Sequence, residues 1–105
     1  MFLIFFKLLV LHYLADYAAQ GDFLAKAKNH TQPLPGVPWQ HALLAHAVIH
    51  GGAVWLVTGS LWLAGVEIVM HAALDYHKCD GTINYNQDQL GHIWLKVIYA
   101  GIRVS

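Results

Sequence analysis

Four pairs of ionisable residues stand four positions apart inside helix-length apolar runs: His12 with Asp16, His46 with His50, His71 with Asp75, and Asp88 with His92. Residues at i and i+4 project from one helical face a turn apart, so each apolar rod carries a single polar notch. Ionisable groups in such surroundings cost several kcal/mol each unless they meet a partner or water. Whatever fold the chain adopts must therefore bring the notches together.

The apolar runs predict helices near Phe2 to Gln20, Gln40 to Val57, Leu61 to His77 and Gln87 to Arg103. No charged region precedes the opening run and no clean cleavage site follows it, so it is expected to be a retained helix rather than a signal peptide. Gly21 to Pro38 is the one long loop. Asp22 can cap a short amphipathic turn there (Phe23, Leu24, Ala27) before Pro33, Pro35 and Pro38 end any helix. Thr58-Gly59-Ser60 supplies a C-terminal glycine and then a serine N-cap, a connection short enough to impose an antiparallel hairpin. Asp80-Gly81 marks a turn, and Asn86 is the expected N-cap of the last helix.

With 57% hydrophobic and 11% charged residues, the chain cannot cover an ordinary water-facing surface, for which about 25% charged is usual. Helices of ~17 to 19 residues span about 26 to 29 Å, close to a hydrocarbon core. The competing architecture is a soluble four-helix bundle, but Ala42 to Val57 and Leu61 to Met70 show no polar stripe on any face. The expected fold is thus all-α, a polytopic membrane protein in which residues 1–105 form one antiparallel four-helix transmembrane bundle. Aromatic residues fall near the helix ends as interfacial belts do, Tyr17, Trp39, Tyr76, Tyr85 and Trp94 at one side and Trp55, Trp62 and Tyr99 at the other. Six basic residues balance six acidic ones, which removes the cationic excess that nucleic-acid binding needs. Cys79 is the single cysteine, so neither an internal disulfide nor a cysteine metal cage can form.

An up-down-up-down path carries all four notches to the same end of the bundle. Imidazole plus carboxylate is the ligand set of Zn, Mn, Fe or Ni, with zinc the first expectation, and helix bundles hold such ions with ligands from facing helices. The candidate metal ligands are His12, Asp16, His46, His71, Asp75, Asp88 and His92. Asp16 and Asp88 are the candidate catalytic acids, able to serve as general base where they do not ligate. The competing reading is a clasp of His–Asp hydrogen bonds between helices, with Asp88 favoured at a helix N-terminus. By the same levels, His12 aligns with His71 and His92 beneath a carboxylate layer of Asp16, Asp75 and Asp88.

Glu67 and Lys96 each lie one turn below a notch and are expected to pair. Gln20 and Gln89 are placed to orient ligands, whereas His30, His41 and His77 fall at interfaces or in solvent and Lys7 reaches toward its own membrane surface. Gly51 and Gly52 are expected to let helices approach closely.

These residues resemble the domain-of-unknown-function family 3307, small polytopic membrane proteins of bacteria and their phages. The resemblance runs through His12, Asp16 and Gln20; the Asn- and Lys-containing stretch Asp22 to His30; Leu44-Ala45-His46; His71 to Tyr76; and Asp88-Gln89-Leu90-Gly91-His92. The chain departs from the family's pattern at Phe23, where Trp is usual, and at His50 and His77. The resemblance implies a multi-pass protein of the bacterial inner membrane, with membrane lipids as partners.

Two functions remain open on this reading. In one, the metal activates water to hydrolyse an ester or phosphoester of a lipid or its headgroup. In the other, a structural metal or polar clasp sits in a non-catalytic protein, a homo-oligomer or a small subunit of a membrane complex, or a phage factor acting on the host membrane. Lys26, Lys28 and Lys78 lie at the histidine-rich end, which the positive-inside rule assigns to the cytoplasm with both termini outside.

Overall fold

Helix α1 (Phe2–Tyr13) forms from the apolar opening run and then widens into a π turn, Leu14–Ala18, in place of the continuous α-helix expected to Gln20. The extra residue of a π turn rotates the side chains around it relative to α-helical register, and here the rotated residue is Asp16. The short α2 (Gly21–Ala27) comes next, then α3 (Trp39–Thr58), α4 (Leu61–Cys79) and α5 (Tyr85–Val104). The computed structural model describes residues 2–18, 21–32 and 34–104, and among them are these five α-helices and no strand. Gln20 lies outside the described residues, as do the side chains of Tyr17 and Asp22.

The helix ends have local causes. Gly59 takes the left-handed conformation (φ 68°) that closes α3, and the Ser60 hydroxyl accepts from the Leu63 N–H to start α4. The cap of α5 is Asn84 rather than Asn86. The Gln87 N–H donates to Asn84 Oδ1 (2.8 Å) while the Asn84 N–H donates to Gln87 Oε1 (2.9 Å), a reciprocal box that starts the helix two residues earlier than expected.

The four long elements pack in a ring in the order α1, α3, α4, α5, with α3 and α4 in the most extensive contact, and the molecule measures 45 × 23 × 22 Å. By length and composition, α3 alone among the described helices is long and apolar enough to cross a membrane. The expectation of four such spans is not met on that measure. Helix α1 has 12 residues, α4 carries Glu67, Asp75 and Lys78, and α5 carries Asp88, Lys96 and Arg103.

Polar side chains are as numerous in the interior as apolar ones. Among the described residues, twelve buried polar or charged side chains match eleven buried hydrophobic ones, while Phe2, Leu56, Leu61, Trp62 and Val69 are more than 65% exposed. Leu8, Val54, Leu63 and Tyr99 form an apolar plug toward the α3–α4 turn. Above it the Lys96 ammonium donates to Glu67, the ion pair expected from the spacing, and Tyr99 Oη donates to Glu67 Oε2 at 3.3 Å. Tyr99 is therefore a core residue and not part of an interfacial belt, being 1% exposed.

Gly51 faces α4, where an added Cβ would lie 2.5 Å from Ile68 Cγ1 and 3.0 Å from the Ala64 carbonyl; at Gly52 a Cβ would meet nothing within 4 Å. Only Gly51 thus bears out the expected close approach. Gly51→Val should destabilise the protein by ~1–3 kcal/mol through overpacking, whereas Gly52→Ala should be neutral or slightly stabilising. Thermal unfolding followed by circular dichroism distinguishes the two. Lys96→Met strands a buried carboxylate and should cost ~3–5 kcal/mol. The double variant Lys96→Met/Glu67→Leu should regain most of that loss in the same assay; an additive result would remove the pairing from the account of stability.

Candidate metal centre

Each element delivers its notch to one end of the bundle. His12 comes from the last turn of α1 and Asp16 from the π turn; α3 supplies His46 and His50, α4 supplies His71 and Asp75, and α5 supplies Asp88 and His92. Five imidazoles pack against one another. Their centroids lie 3.8 Å apart for His50–His71, 4.3 Å for His71–His92, 4.8 Å for His46–His50 and His46–His71, and 5.1 Å for His12–His92. His46, His71 and His92 are fully buried.

Carboxylates interleave with the rings at a narrow range of distances. Asp16 Oδ1 lies 3.3 Å from both His46 Nε2 and His50 Nε2. Asp75 Oδ2 lies 3.4 Å from both His46 Nε2 and His71 Nε2, and Asp88 Oδ1 lies 3.2 Å from His92 Nε2. Not all of these are hydrogen bonds. His50 Nε2 and both nitrogens of His71 are buried without a hydrogen-bond partner among the described residues, as is Nδ1 of His12, His46 and His92. A buried polar atom left unpaired costs ~1–3 kcal/mol. Atoms separated by 3.3–3.4 Å but not aimed at one another are arranged like the ligands of a common ion, since the edge of a tetrahedron with zinc-type bonds of ~2.0–2.1 Å is about 3.3–3.4 Å. The donors fall into three groups, each within 4.8 Å: Asp16, His46, His50 and His71; Glu67, His71 and His92; and Asp75, Asp88 and His92. These buried groups can hold a metal ion.

Of the seven residues expected to ligate, six fall in these groups, and His50 and Glu67, the latter expected only as the partner of Lys96, join them. His50 shares a face with His46, and the i, i+4 spacing was signal enough to find it. His12 is adjacent but differently engaged. Its Nε2 donates to Gln89 Oε1 (3.1 Å), and the Gln89 amide donates to Asp16 Oδ2 (2.8 Å), so Gln89 takes the orienting place expected of it. The expected carboxylate layer nearer water is met by Asp16, whose side chain is 10% exposed, but not by Asp75 or Asp88.

Lys28 carried no signal of its role. It comes just after the last residue of α2, turns inward, is 3% exposed, and donates to Asp75 Oδ2 at 2.8 Å. The loop beyond it is fastened by His30, whose ring stacks on Tyr76 at 3.7 Å and packs on Trp39 at 5.3 Å. His30 Nε2 also lies 4.0 Å from Asp80, a carboxyl held below its ordinary pKa by hydrogen bonding from Thr82. His41 and His77 are exposed, as expected.

In the core, the carboxylates of Asp16, Glu67, Asp75 and Asp88 face the ammonium groups of Lys28 and Lys96, an excess of two negative charges that a divalent cation would neutralise. No curated protein and no solved structure matches this chain. The model of a family described as proteins of unknown function, DUF3307, matches residues 4–104, and the chain belongs to that family.

Proposed function

We propose that this chain is a multi-pass membrane protein, of the bacterial inner membrane, whose core binds a divalent metal ion, zinc first among candidates, for hydrolysis of an ester or phosphoester at the level of lipid headgroups. The observation that carries the metal is the set of imidazole and carboxylate atoms 3.3–3.4 Å apart, in which His50 Nε2 and both nitrogens of His71 lack hydrogen bonds among the described residues. Support for the membrane comes from the surface. Phe2, Leu3, Leu56, Leu61, Trp62, Val69 and Trp94 are all more than 60% exposed on the long helices, which suits lipid and not water.

His46, His50 and His71 with Asp16 would hold the ion, and a metal so bound, on expanding to admit water as a fifth ligand, would supply a nucleophile of lowered pKa. Asp16 is the member of this set with exposed surface, which makes its side the route for substrate. Asp88 stands outside the set, bonded to His92, and is the candidate general base. Gln89 fixes the orientation of Asp16. Because Lys28 turns inward, Lys26 and Lys78 remain at this end as positive-inside residues, consistent with a cytoplasmic site.

A second reading is favoured by one observation. The surface grooves between α1 and α3, and along α4 by Gly65, are lined by apolar residues together with Lys7 and contain no member of the cluster. A closed centre of that kind would be structural, in a homo-oligomer or a subunit of a membrane complex.

The protein should sediment with membranes and resist alkaline carbonate washing. Elemental mass spectrometry of detergent-purified protein should find at least one divalent metal per chain. His46→Ala and His71→Ala should lose it, and His41→Ala should retain it. Full metal retention by both core variants would sink the centre. Chelator-sensitive release of fatty acid or phosphate from vesicles then separates enzyme from structural protein, with Asp88→Asn expected to lower the rate about 10²- to 10⁴-fold while keeping the ion held by His46, His50, His71 and Asp16.

A further inference from the structure

We infer that the centre is built for two cations, the second held by Asp75, Asp88 and His92, with the Lys28 ammonium occupying that second place electrostatically until the ion arrives. The inference rests on the metal-binding reading above and goes beyond it in number, order and control.

Two of the donor groups share no residue: Asp16, His46, His50 and His71 on one side, and Asp75, Asp88 and His92 on the other. They are nevertheless adjacent, because Asp75 Oδ2 lies 3.4 Å from both His46 Nε2 and His71 Nε2 of the first group. A carboxylate at such a boundary can bridge two ions, as in helix bundles that hold paired metals about 3.5–4 Å apart. The two groups differ in chemistry. Three imidazoles and one carboxylate complete a four-coordinate site, whereas two carboxylates and one imidazole leave room for water and suit a harder cation. His71 sits between them fully buried, its Nε2 within 3.4 Å of Asp75 Oδ2 but neither of its nitrogens in a hydrogen bond among the described residues.

Charge sets the order of filling. With Lys28 on Asp75, the core carries an excess of two negative charges, which one divalent ion in the first group balances. A second ion that takes Oδ2 of Asp75, the oxygen nearest His46 and His71, competes with the Lys28 ammonium for it at a 2.8 Å contact. The second site is therefore the weaker one, and its filling frees the end of α2, where the Lys28 N–H bonds to the Leu24 carbonyl. Loading the second ion would thus loosen the segment fastened over the centre. Lys28 acts on metal binding through Asp75 and is a positioning residue.

The test is a titration of metal-free, detergent-solubilised protein with zinc and, separately, with manganese. Native mass spectrometry supplies the stoichiometry and calorimetry the affinities. Two ions per chain are expected, bound in two resolved steps. Asp88→Asn and His92→Ala should each bind one ion, and His46→Ala should lose the tighter step. Lys28→Met, which keeps the side-chain length and removes the charge, should tighten the second step about tenfold and leave the first unchanged, as removal of one competing partly buried charge predicts. Circular dichroism of each variant identifies any that fails to fold, and Asp88→Asn with Lys28→Met provides two independent readouts. Saturation at one ion, with Lys28→Met unchanged, overturns the second site and leaves the single-metal reading standing. Binding of no ion by the folded wild-type protein overturns both.

Discussion

Everything in this bundle depends on mutual satisfaction of ionisable groups that have no access to water. His12, His46, His50, His71, Asp75, Asp88, His92, Glu67 and Lys96 are each 1% exposed or less, on four different helices. No single helix can pair its own set. The His71–Asp75 contact within α4 is matched by His46 reaching Asp75 from α3 and by Lys28 reaching it from the end of α2. Removing any helix would strand charges on the others, and that penalty, several kcal/mol per ion, fixes which helix faces which.

The π turn serves this constraint. An α-helix continued past Tyr13 would keep Asp16 stacked one turn above His12, their own i, i+4 pairing. In the structure that pair is long, 3.9 Å, while Asp16 Oδ1 lies 3.3 Å from both His46 and His50 on α3. The turn converts an intrahelical pair into an interhelical one. Single π turns are frequently found at functional sites, where the strain they introduce is offset by what the reoriented side chain gains.

How much could be read from residues alone depends on which forces are local. The i, i+4 notches, the Glu67–Lys96 pair, the Gly59-Ser60 hairpin and the Asp80-Gly81 turn all rest on helical periodicity or on cap chemistry within a few residues, and all were legible. The π turn was not, because Leu14 to Ala18 holds no residue that distinguishes it from an α-helix. Lys28 was not either. A lysine among loop residues is ordinarily solvated, and only the folding of α2 back over the bundle brings it to Asp75. Asn84 and Asn86 can each cap by residue type, and the choice between them rests on the reach of Gln87 to Asn84. Tyr99 read as a belt residue from its position near a helix end, yet the hydroxyl is drawn inward by Glu67.

In the proposed membrane setting, the exposed Leu, Val, Ile and Trp side chains would gain nothing by moving from lipid to a neighbouring helix, so the hydrophobic effect would not hold these helices together. What remains is close packing, of which Gly51 against Ala64 and Ile68 is the clearest instance, and polar contact in the core. The four acids and five imidazoles then form the attachment between helices as well as the candidate centre. Metal affinity and bundle stability draw on the same atoms, so an ion that binds only the folded arrangement adds its binding free energy to folding. The crowding of unpaired imidazole nitrogens is an unfavourable feature of the metal-free core, and the same crowding is what would make its affinity for a cation high.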